Sequence, residues 1–140
     1  MHVEPYLNFD GRCEEAVEFY KKAVGAEVQM MMRFSDSPEP VDPKMVPPAN
    51  ANKIMHASWK IGSSVIMGAD CACQGKPDFK GISLSLNASN DADAQRIFNA
   101  LAEGGKVQQP LIKTFFASSF GLVADRFGVS WMIVVMTGPA

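Results

Sequence analysis

The chain has 140 residues, of which 47% are hydrophobic and 20% are charged, with a formal net charge of −2 at pH 7. This length predicts one domain with a buried core, and the balance of residue types is that of an ordinary soluble globular protein. The small negative charge provides no basic surface, so we expect no nucleic-acid partner. No apolar stretch approaches the length that spans a bilayer, so we also expect no membrane partner.

The N-terminal residues and the cysteines together predict a cytoplasmic location. The opening stretch, MHVEPYLNF, has neither the basic start nor the apolar segment of a signal peptide. The three cysteines are Cys13, Cys71 and Cys73, and their odd number predicts reduced thiols rather than a disulfide framework. Cys71 and Cys73 are separated by one residue instead of the usual two and have no histidine nearby, which argues against a metal site.

Two stretches carry apolar residues at the spacing of an amphipathic helix. Residues 13–24 read CEEAVEFYKKAV, and residues 91–103 read DADAQRIFNALAE. The first stretch has glutamates in its opening turn, lysines near its end and Gly25 after it, as the helix dipole and a left-handed C-terminal residue prefer. Ser89 or Asn90 is the predicted N-cap of the second stretch, which two glycines end.

The sequence around the first helix resembles the sequence around the second, about 79 residues further on. Ala16-x-x-Phe19-Tyr20 matches Ala94-x-x-Ile97-Phe98, and Ile61–Met67 resembles Phe127–Ile133. Residues 35–52 contain five prolines and little periodicity, so they are predicted to form an exposed loop inserted in the first copy.

Each copy is predicted to read strand, helix, strand, strand, strand. Gly62 and Gly128 are expected to form tight turns before the last strand of each copy. The sequence therefore predicts an α+β fold of two βαβββ modules, about 1–70 and 79–140, within a single domain. Mixed sheets of this kind leave one face free, and two such faces can enclose a cavity. The predicted strands lie near 3–9, 26–34, 53–61, 63–69, 81–87, 106–112, 114–124 and 129–135.

Six short motifs follow one another along nearly the whole chain. They are Pro5-Tyr6-Leu7-x-Phe9, Glu15-Ala16-x-Glu18-Phe19-Tyr20, Gly25-Ala26-Glu27, Met55-His56-Ala57, Gly105-Lys106-Val107 and Asp125-x-Phe127-Gly128-Val129-x-Trp131-Met132-Ile133. In this order they resemble the PhnB-like branch of the vicinal oxygen chelate superfamily, which includes glyoxalase I, bleomycin-resistance proteins and extradiol dioxygenases. The resemblance implies a homodimer that completes the cavity and a small-molecule ligand.

Some relatives in this branch carry the name of a demethylubiquinone methyltransferase. We do not expect that activity here, because the chain has no Gly-rich strand-to-helix turn that would hold S-adenosylmethionine.

The resemblance also implies where a metal would bind in metal-dependent members: His, Glu or Gln ligands on the first and last strands of each module. Only Glu4 among the corresponding residues has a side chain that suits a metal, and one carboxylate does not hold a divalent ion with useful affinity. We therefore expect no metal at these positions and no other cofactor. The corresponding residues are Glu4 or Pro5; Val65, Ile66 or Met67; Gly81, Ile82 or Ser83; and Trp131, Met132 or Ile133.

Alternation along the strands divides the side chains between a helix-covered core and a pocket. Tyr6 and Phe116 can stack on a planar ligand, although each also fits a core. The predicted core residues are Leu7, Phe9, Met55, Ala57, Trp59, Ile61, Ile82, Leu84, Leu86, Trp131, Ile133 and Val135. The predicted pocket residues are Glu4, Tyr6, Asn8, His56, Ser58, Lys60, Ser83, Ser85, Asn87, Met132 and Val134.

Four polar residues carry alternative interpretations. His56 is the leading candidate for proton transfer, because histidine gains and loses protons near neutral pH, but it also fits a buried bond to a backbone carbonyl. Glu4 is either a general base beside His56 or a charge on an edge strand. Asp70 suits a turn, and Cys13 is either a thiol whose pKa the helix dipole lowers or a packed thiol.

Three functions fit these residues. The first is a metal-free homodimer that binds or sequesters a small aromatic compound. The second is a metal-independent isomerase or lyase in which Glu4 or His56 moves protons. The third is an atypical metal enzyme that uses His56 with Glu4 and Asp70. The sequence does not identify the ligand.

Overall fold

The computed structural model describes residues 1–70 and 77–137, and the chain divides into two compact units, Met1–Pro77 and Asp78–Ala140. The predicted α+β fold of repeated βαβββ modules is confirmed. That the two units form a single domain stays a prediction. The elements are β1 (Tyr6–Asn8), α1 (Cys13–Val24), β2 (Glu27–Arg33), β3 (Ile54–Ile61) and β4 (Ser64–Ala69), then β5 (Ser83–Asn87), α2 (Asp91–Ala102), β6 (Lys106–Ile112), β7 (Ala117–Ala124) and β8 (Ser130–Met136).

Each unit contains one four-stranded mixed sheet, and the two sheets have the same topology. The strand orders are β1-β4-β3-β2 and β5-β8-β7-β6. The first strand of each unit pairs in parallel with the last, and the other neighbours are antiparallel. Gly62 and Gly128, with φ of 59° and 89°, form the turns before β4 and β8, where a left-handed backbone favours glycine. Within the described residues, neither helix is long and apolar enough to cross a membrane.

The core of the first unit lies between α1 and one face of its sheet. The Tyr20 ring stacks on Trp59 with centroids 6.2 Å apart, and Phe9 lies 6.4 Å from both rings. Gly68 passes beneath this cluster, since a Cβ atom there would come within 2.9 Å of the Trp59 ring. The helix contributes an apolar stripe and the sheet contributes aromatic rings. Within residues 1–70, α1 is the only α-helix, so the opposite face of this sheet is not covered by a helix of that segment. The buried residues of α1 are Cys13, Ala16, Val17, Tyr20 and Ala23.

The second unit repeats this arrangement with α2. Asn90 is the N-cap, because its side-chain oxygen accepts a hydrogen bond from the Asp93 N–H at 2.8 Å. The buried stripe of the helix packs on the side of the sheet that carries Trp131 and Ile133. The buried residues of α2 are Ala94, Ile97, Phe98 and Leu101.

The structure corrects several predicted burial assignments. Ile54, rather than Met55, is buried, because the pairing of β2 with β3 shifts between Met32 and Arg33. Ile82 is 68% exposed, since β5 begins only at Ser83.

The end of β8 requires a similar correction. Val134 is buried although it was predicted to face the pocket, and Val135 is half-buried although it was predicted to be core. The pairing of β7 with β8 is regular from Ser130 to Val135, so Val134 keeps its predicted face, beside Asn87 and Phe120, but is buried there. Ile61, also predicted to be core, is half-buried at the last position of β3.

The proline-rich segment between β2 and β3 is a loop with two 3₁₀ turns, Phe34–Asp36 and Pro48–Asn50. Its two ends are held together by hydrogen bonds from the Phe34 N–H to the Lys53 carbonyl at 3.0 Å and from the Ser35 N–H to the Ala51 carbonyl at 2.9 Å. The bulk of the loop therefore extends beyond a closed neck.

Candidate functional site

The face of the first sheet opposite α1 carries most of the predicted pocket residues of that unit. Residues paired across neighbouring strands share a face, so Tyr6, Met67, Ser58 and Met30 form one row across the four strands. Leu7, Ala57 and Trp59 are buried on the other side. We call this surface the open face of the first unit. Its members are Tyr6, Asn8, Met30, Met32, His56, Ser58, Lys60, Val65, Met67 and Ala69.

Tyr6 and His56 contact each other on the open face. The Tyr6 hydroxyl lies 3.0 Å from His56 Nδ1, and the ring centroids are 5.6 Å apart with the planes tilted by 32°. The two residues belong to β1 and β3, with β4 between them. The small side chain of Ala69, buried on β4, leaves room for the pair to meet above that strand.

The Tyr6–His56 contact has a chemical consequence for the imidazole. The tautomer of His56 sets the direction of this bond. When the tyrosine hydroxyl donates to Nδ1, the ring proton of a neutral His56 is on Nε2, and when Nδ1–H donates to the hydroxyl, Nε2 is an acceptor. Tyr6 remains 44% exposed and His56 is half-buried. The pair therefore offers both ring surface and polar atoms.

Glu4 is paired with a different histidine. Its Oε1 lies 3.3 Å from His2 Nε2. Among the described residues, Glu4 and His56 make no hydrogen bond with each other. The predicted base and the predicted proton carrier are therefore each engaged with a separate partner.

The Asp70 carboxylate accepts hydrogen bonds from three backbone N–H groups. Its Oδ1 accepts the N–H groups of Gly11 and Cys13, both at 2.8 Å, and its Oδ2 accepts the Ile54 N–H at 2.7 Å. Because Cys13 begins α1 and Ile54 begins β3, the buried carboxylate fixes the start of the helix against the sheet. Asp70 was predicted to form a turn. In the structure it joins the start of α1 to the start of β3.

The residues present do not fit the divalent metal of metal-dependent relatives. On the parallel strand pairs, the central positions on the face away from the helix are Tyr6 with Met67 in the first unit and Ser85 with Met132 in the second, and they provide neither imidazole nor carboxylate. In residues 1–70 and 77–137, no three His, Cys, Asp or Glu side chains lie close enough to share an ion. The group of His56, Glu4 and Asp70 is not assembled.

The Cys13 thiol is packed inside the first unit, which is the second of the two alternatives for this residue. Burial is the main reason that its pKa rises to about 12, and the neighbouring charges of Asp70 and Glu14 raise it further. The helix dipole therefore does not produce a reactive thiolate here. Cys71 and Cys73 lie outside the described residues.

Three predicted site residues belong to the second unit. Ser85 is exposed on β5, and its partner on β8 is the half-buried Met132. Phe116 precedes β7 and forms edge-to-face contacts with Phe115 and Phe120, at centroid distances of 5.2 and 5.4 Å. The other predicted binding residues, Tyr6, Asn8 and Ser58, share the open face of the first unit with His56.

Two features of these units were not predicted from the sequence. Met30 and Met32 belong to the open face but were not among the predicted pocket residues; their period-two spacing on one strand is the signal that identifies them. Asp125, buried in the second unit, was not assigned a role, although its position before Phe127 and Gly128 is typical of a carboxylate that closes a turn.

Comparisons with known proteins agree with this architecture. The sequence model of the family described as 3-demethylubiquinone-9 3-methyltransferase matches residues 1–134. Protein YjdN of Escherichia coli (strain K12) is 35% identical over 143 residues, which cover 97% of this chain and 96% of that protein. The crystal structure of protein PA1353 from Pseudomonas aeruginosa is 44% identical, with a TM-score of 0.83 and coverage of 97% of this chain and 98% of that chain.

Two more distant structures show similarity of fold alone. The PhnB protein from Bacillus cereus is 23% identical, with a TM-score of 0.78 and coverage of 96% and 99% of the two chains. The glyoxylase/bleomycin resistance protein/dioxygenase domain from Frankia sp. EAN1pec is 14% identical, with a TM-score of 0.60 and coverage of 96% and 94%. The family model thus places the chain in the family described as 3-demethylubiquinone-9 3-methyltransferase, and its fold is the one seen in the PhnB protein and in the glyoxylase/bleomycin resistance protein/dioxygenase domain.

Proposed function

We propose that the protein binds a small organic molecule with a planar ring on the open face of the first unit, and that Tyr6 and His56 are its principal contacts. The observation that carries this proposal is the contact between the two rings, which pack 5.6 Å apart while Tyr6 stays 44% exposed. Exposed rings that are already held in place lose little conformational entropy when a ligand stacks on them.

The surroundings of the pair support the same proposal. Met67 lies beside Tyr6 in the sheet, and Ser58 lies beside Met67. Flexible apolar side chains with a few polar groups among them are typical of small-molecule sites. The hydroxyl groups and the imidazole can donate hydrogen bonds, so a ligand with a carbonyl or phenol oxygen on its ring suits them best.

A second function, metal-independent proton transfer, is favoured by the hydrogen bond between Tyr6 and His56. A tyrosine that fixes the tautomer of a histidine resembles the orienting partner of a catalytic base. In this alternative, His56 transfers the proton, and Tyr6 holds the His56 ring in position. Loss of turnover in a Tyr6→Phe variant that still binds ligand would favour this function over binding alone.

Methyl transfer is not included in the proposal. The connections from β1 to α1 and from β5 to α2 are residues 9–12 and 88–90, which contain a single glycine, Gly11. A dinucleotide-type or S-adenosylmethionine-type turn needs several glycines for the backbone to approach its ligand.

We also propose that the protein is a cytoplasmic homodimer. Phe115 is 97% exposed, and Ile112 nearby in the same unit is also exposed. Exposed apolar side chains of this size commonly mark protein interfaces. Sedimentation that shows only a monomer at micromolar concentration would contradict the dimer.

Ligand-induced thermal stabilisation tests the binding proposal. A panel of planar aromatic compounds with and without ring oxygens is added to the wild-type protein, to Tyr6→Ala and to His56→Ala, and each melting temperature is compared with that of the same variant without compound. A ligand at 100 times its Kd stabilises the native state by about 2.7 kcal/mol. We expect stabilisation of the wild type to be lost in both variants. It should persist in Val107→Ala, the control that shortens an exposed apolar side chain of the second unit.

A further inference from the structure

The edge strand of the first sheet carries three consecutive methionines, Met30, Met31 and Met32. Met31 pairs with Ala57, which is buried against α1, whereas Met30 and Met32 pair with Ser58 and His56 on the open face. β-branched and aromatic residues suit an edge strand better than methionine does, so strand propensity does not explain this choice.

The strand pairing brings two thioethers and one imidazole together. Residues paired across antiparallel strands have Cβ atoms about 5 Å apart, and residues two apart on a strand are separated by about 7 Å. Met30, Met32 and His56 thus occupy three corners of one small rectangle, and Ser58, with its short side chain, occupies the fourth. The flexible methionine side chains can converge above its centre.

Tyr6 completes the arrangement from the other side of His56. Its hydroxyl lies 3.0 Å from Nδ1, so the Nδ1–H can donate to Tyr6 while Nε2 stays available as a ligand. Histidines that bind metals almost always donate the hydrogen of their second ring nitrogen, to a carboxylate, a backbone carbonyl or a water, which fixes the ring and raises the basicity of the ligating nitrogen. The Tyr6 oxygen can accept this hydrogen in the same manner.

We propose that Met30, Met32 and His56 bind a soft monovalent metal ion of the Cu(I) class, with the two sulfur atoms and Nε2 as ligands and Tyr6 as the positioning residue. Thioether and imidazole ligands select Cu(I), whereas hard divalent ions require the oxygen ligands that this group does not provide. This site goes beyond the proposed organic ligand, because it depends on the chemistry of sulfur rather than on stacking.

Titration with Ag(I), which has the same charge and softness but does not change oxidation state, tests the proposal. Every protein in the experiment carries Cys71→Ser and Cys73→Ser, because thiolates bind Ag(I) themselves. The protein is labelled with ¹³C at the methionine methyl groups, so that binding is measured both by calorimetry and by the shift of each methionine signal.

We expect one Ag(I) per chain, with shifts of the Met30 and Met32 signals. Leucine preserves size and apolar character but has no sulfur, so Met30→Leu and Met32→Leu should each weaken binding by about tenfold or more. Tyr6→Phe should weaken it by about tenfold through the loss of the hydrogen bond between the Tyr6 hydroxyl and His56 Nδ1. Met31→Leu, on the same strand but the other face, is the matched control and should bind like the parent.

Equal Ag(I) affinity in the parent and in both leucine variants would overturn the proposal, as would an absence of binding in the parent. The result does not depend on the organic ligand, because none is present in the titration.

Discussion

The buried carboxylate of Asp125 accepts a hydrogen bond from the indole nitrogen of Trp131 at 2.9 Å. Its other oxygen accepts the N–H groups of Phe127 and Val129, at 2.9 and 3.1 Å. One side chain therefore closes the turn at Gly128 and holds the first part of β8 against it. This bond gives a physical reason for the motif Asp-x-Phe-Gly-Val-x-Trp, in which the aspartate and the tryptophan are six residues apart.

Removal of the Trp131 side chain is expected to destabilise the second unit strongly. Trp131 is buried between β8 and the core of the second unit, and its loss also removes the hydrogen bond that its indole donates to Asp125. Trp131→Ala should lower the free energy of unfolding by about 3–5 kcal/mol. Met132→Ala, one residue along on the other face, should cost less because Met132 is only half-buried. Urea denaturation of both variants measures the difference, and a larger loss for Met132→Ala would mean that β8 faces the other way.

The Cys13 thiol should resist alkylation in the native protein. Its burial raises the pKa to about 12, so the thiolate that reacts with iodoacetamide is scarce at pH 8. Mass spectrometry of the peptide that contains Cys13 should show no modification in buffer and full modification in denaturant. Rapid labelling in buffer would show that α1 opens easily or that the thiol is accessible.

The contact between Glu14 and Arg33 should make stability depend on pH in the acid range. A hydrogen bond from Arg33 is the main cause that lowers the pKa of Glu14, and the Arg33 Nη1–Glu14 Oε1 distance is 3.1 Å. A carboxylate whose pKa is lowered in the folded state stabilises the protein above its unfolded pKa, and this contribution is lost as the pH falls through the folded value.

Urea denaturation of the wild type and Glu14→Gln at several pH values measures this effect. The wild type should be more stable at pH 7, by less than about 1 kcal/mol because the pair is half-exposed. The two proteins should converge well below pH 4.5, the ordinary value for this carboxyl. Glu39→Gln, in the exposed loop, is the control. It should have the same free energy of unfolding as the wild type at every pH. If the difference in the free energy of unfolding stayed constant down to low pH, the charge of Glu14 would not be the cause of that difference.

Deletion of residues 38–49 should leave a cooperative fold. The hydrogen bonds that close the neck of the loop involve Phe34, Ser35, Ala51 and Lys53, all outside the deleted segment. We expect a single denaturation transition, together with altered affinity for any ligand of the open face. A broad, multistep transition would mean that the loop is part of the core.

Sequence periodicity predicted the order of the elements because the apolar stripes of the helices and the alternation of the strands are strong local signals. Leu7 and Phe9 on one side and Tyr6 on the other follow directly from that alternation. The contact between Tyr6 and His56 did not follow, because it requires β4 to lie between β1 and β3, and strand order is not a local property. The expected partner of His56 was Glu4, whose side chain pairs with His2 instead.

One error of burial arose where the pairing of strands slips by one residue. The bulge that buries Ile54 in place of Met55 depends on hydrogen bonds between strands far apart in sequence. Asp70 illustrates the same limit, since it bonds to the start of α1, 57 residues earlier in the chain. The alternation of apolar and polar residues along one strand does not predict such contacts between distant segments.

Chemical-shift mapping of a stabilising compound tests most directly whether the open face of the first unit binds ligand. Backbone and methyl spectra are recorded while a planar aromatic compound that raises the melting temperature is titrated into the wild type and into His56→Ala. The largest shifts in the wild type should fall on Tyr6, His56, Ser58 and Met67, and they should disappear in the variant. Shifts confined to other residues, or unchanged shifts in His56→Ala, would contradict a binding site built on Tyr6 and His56.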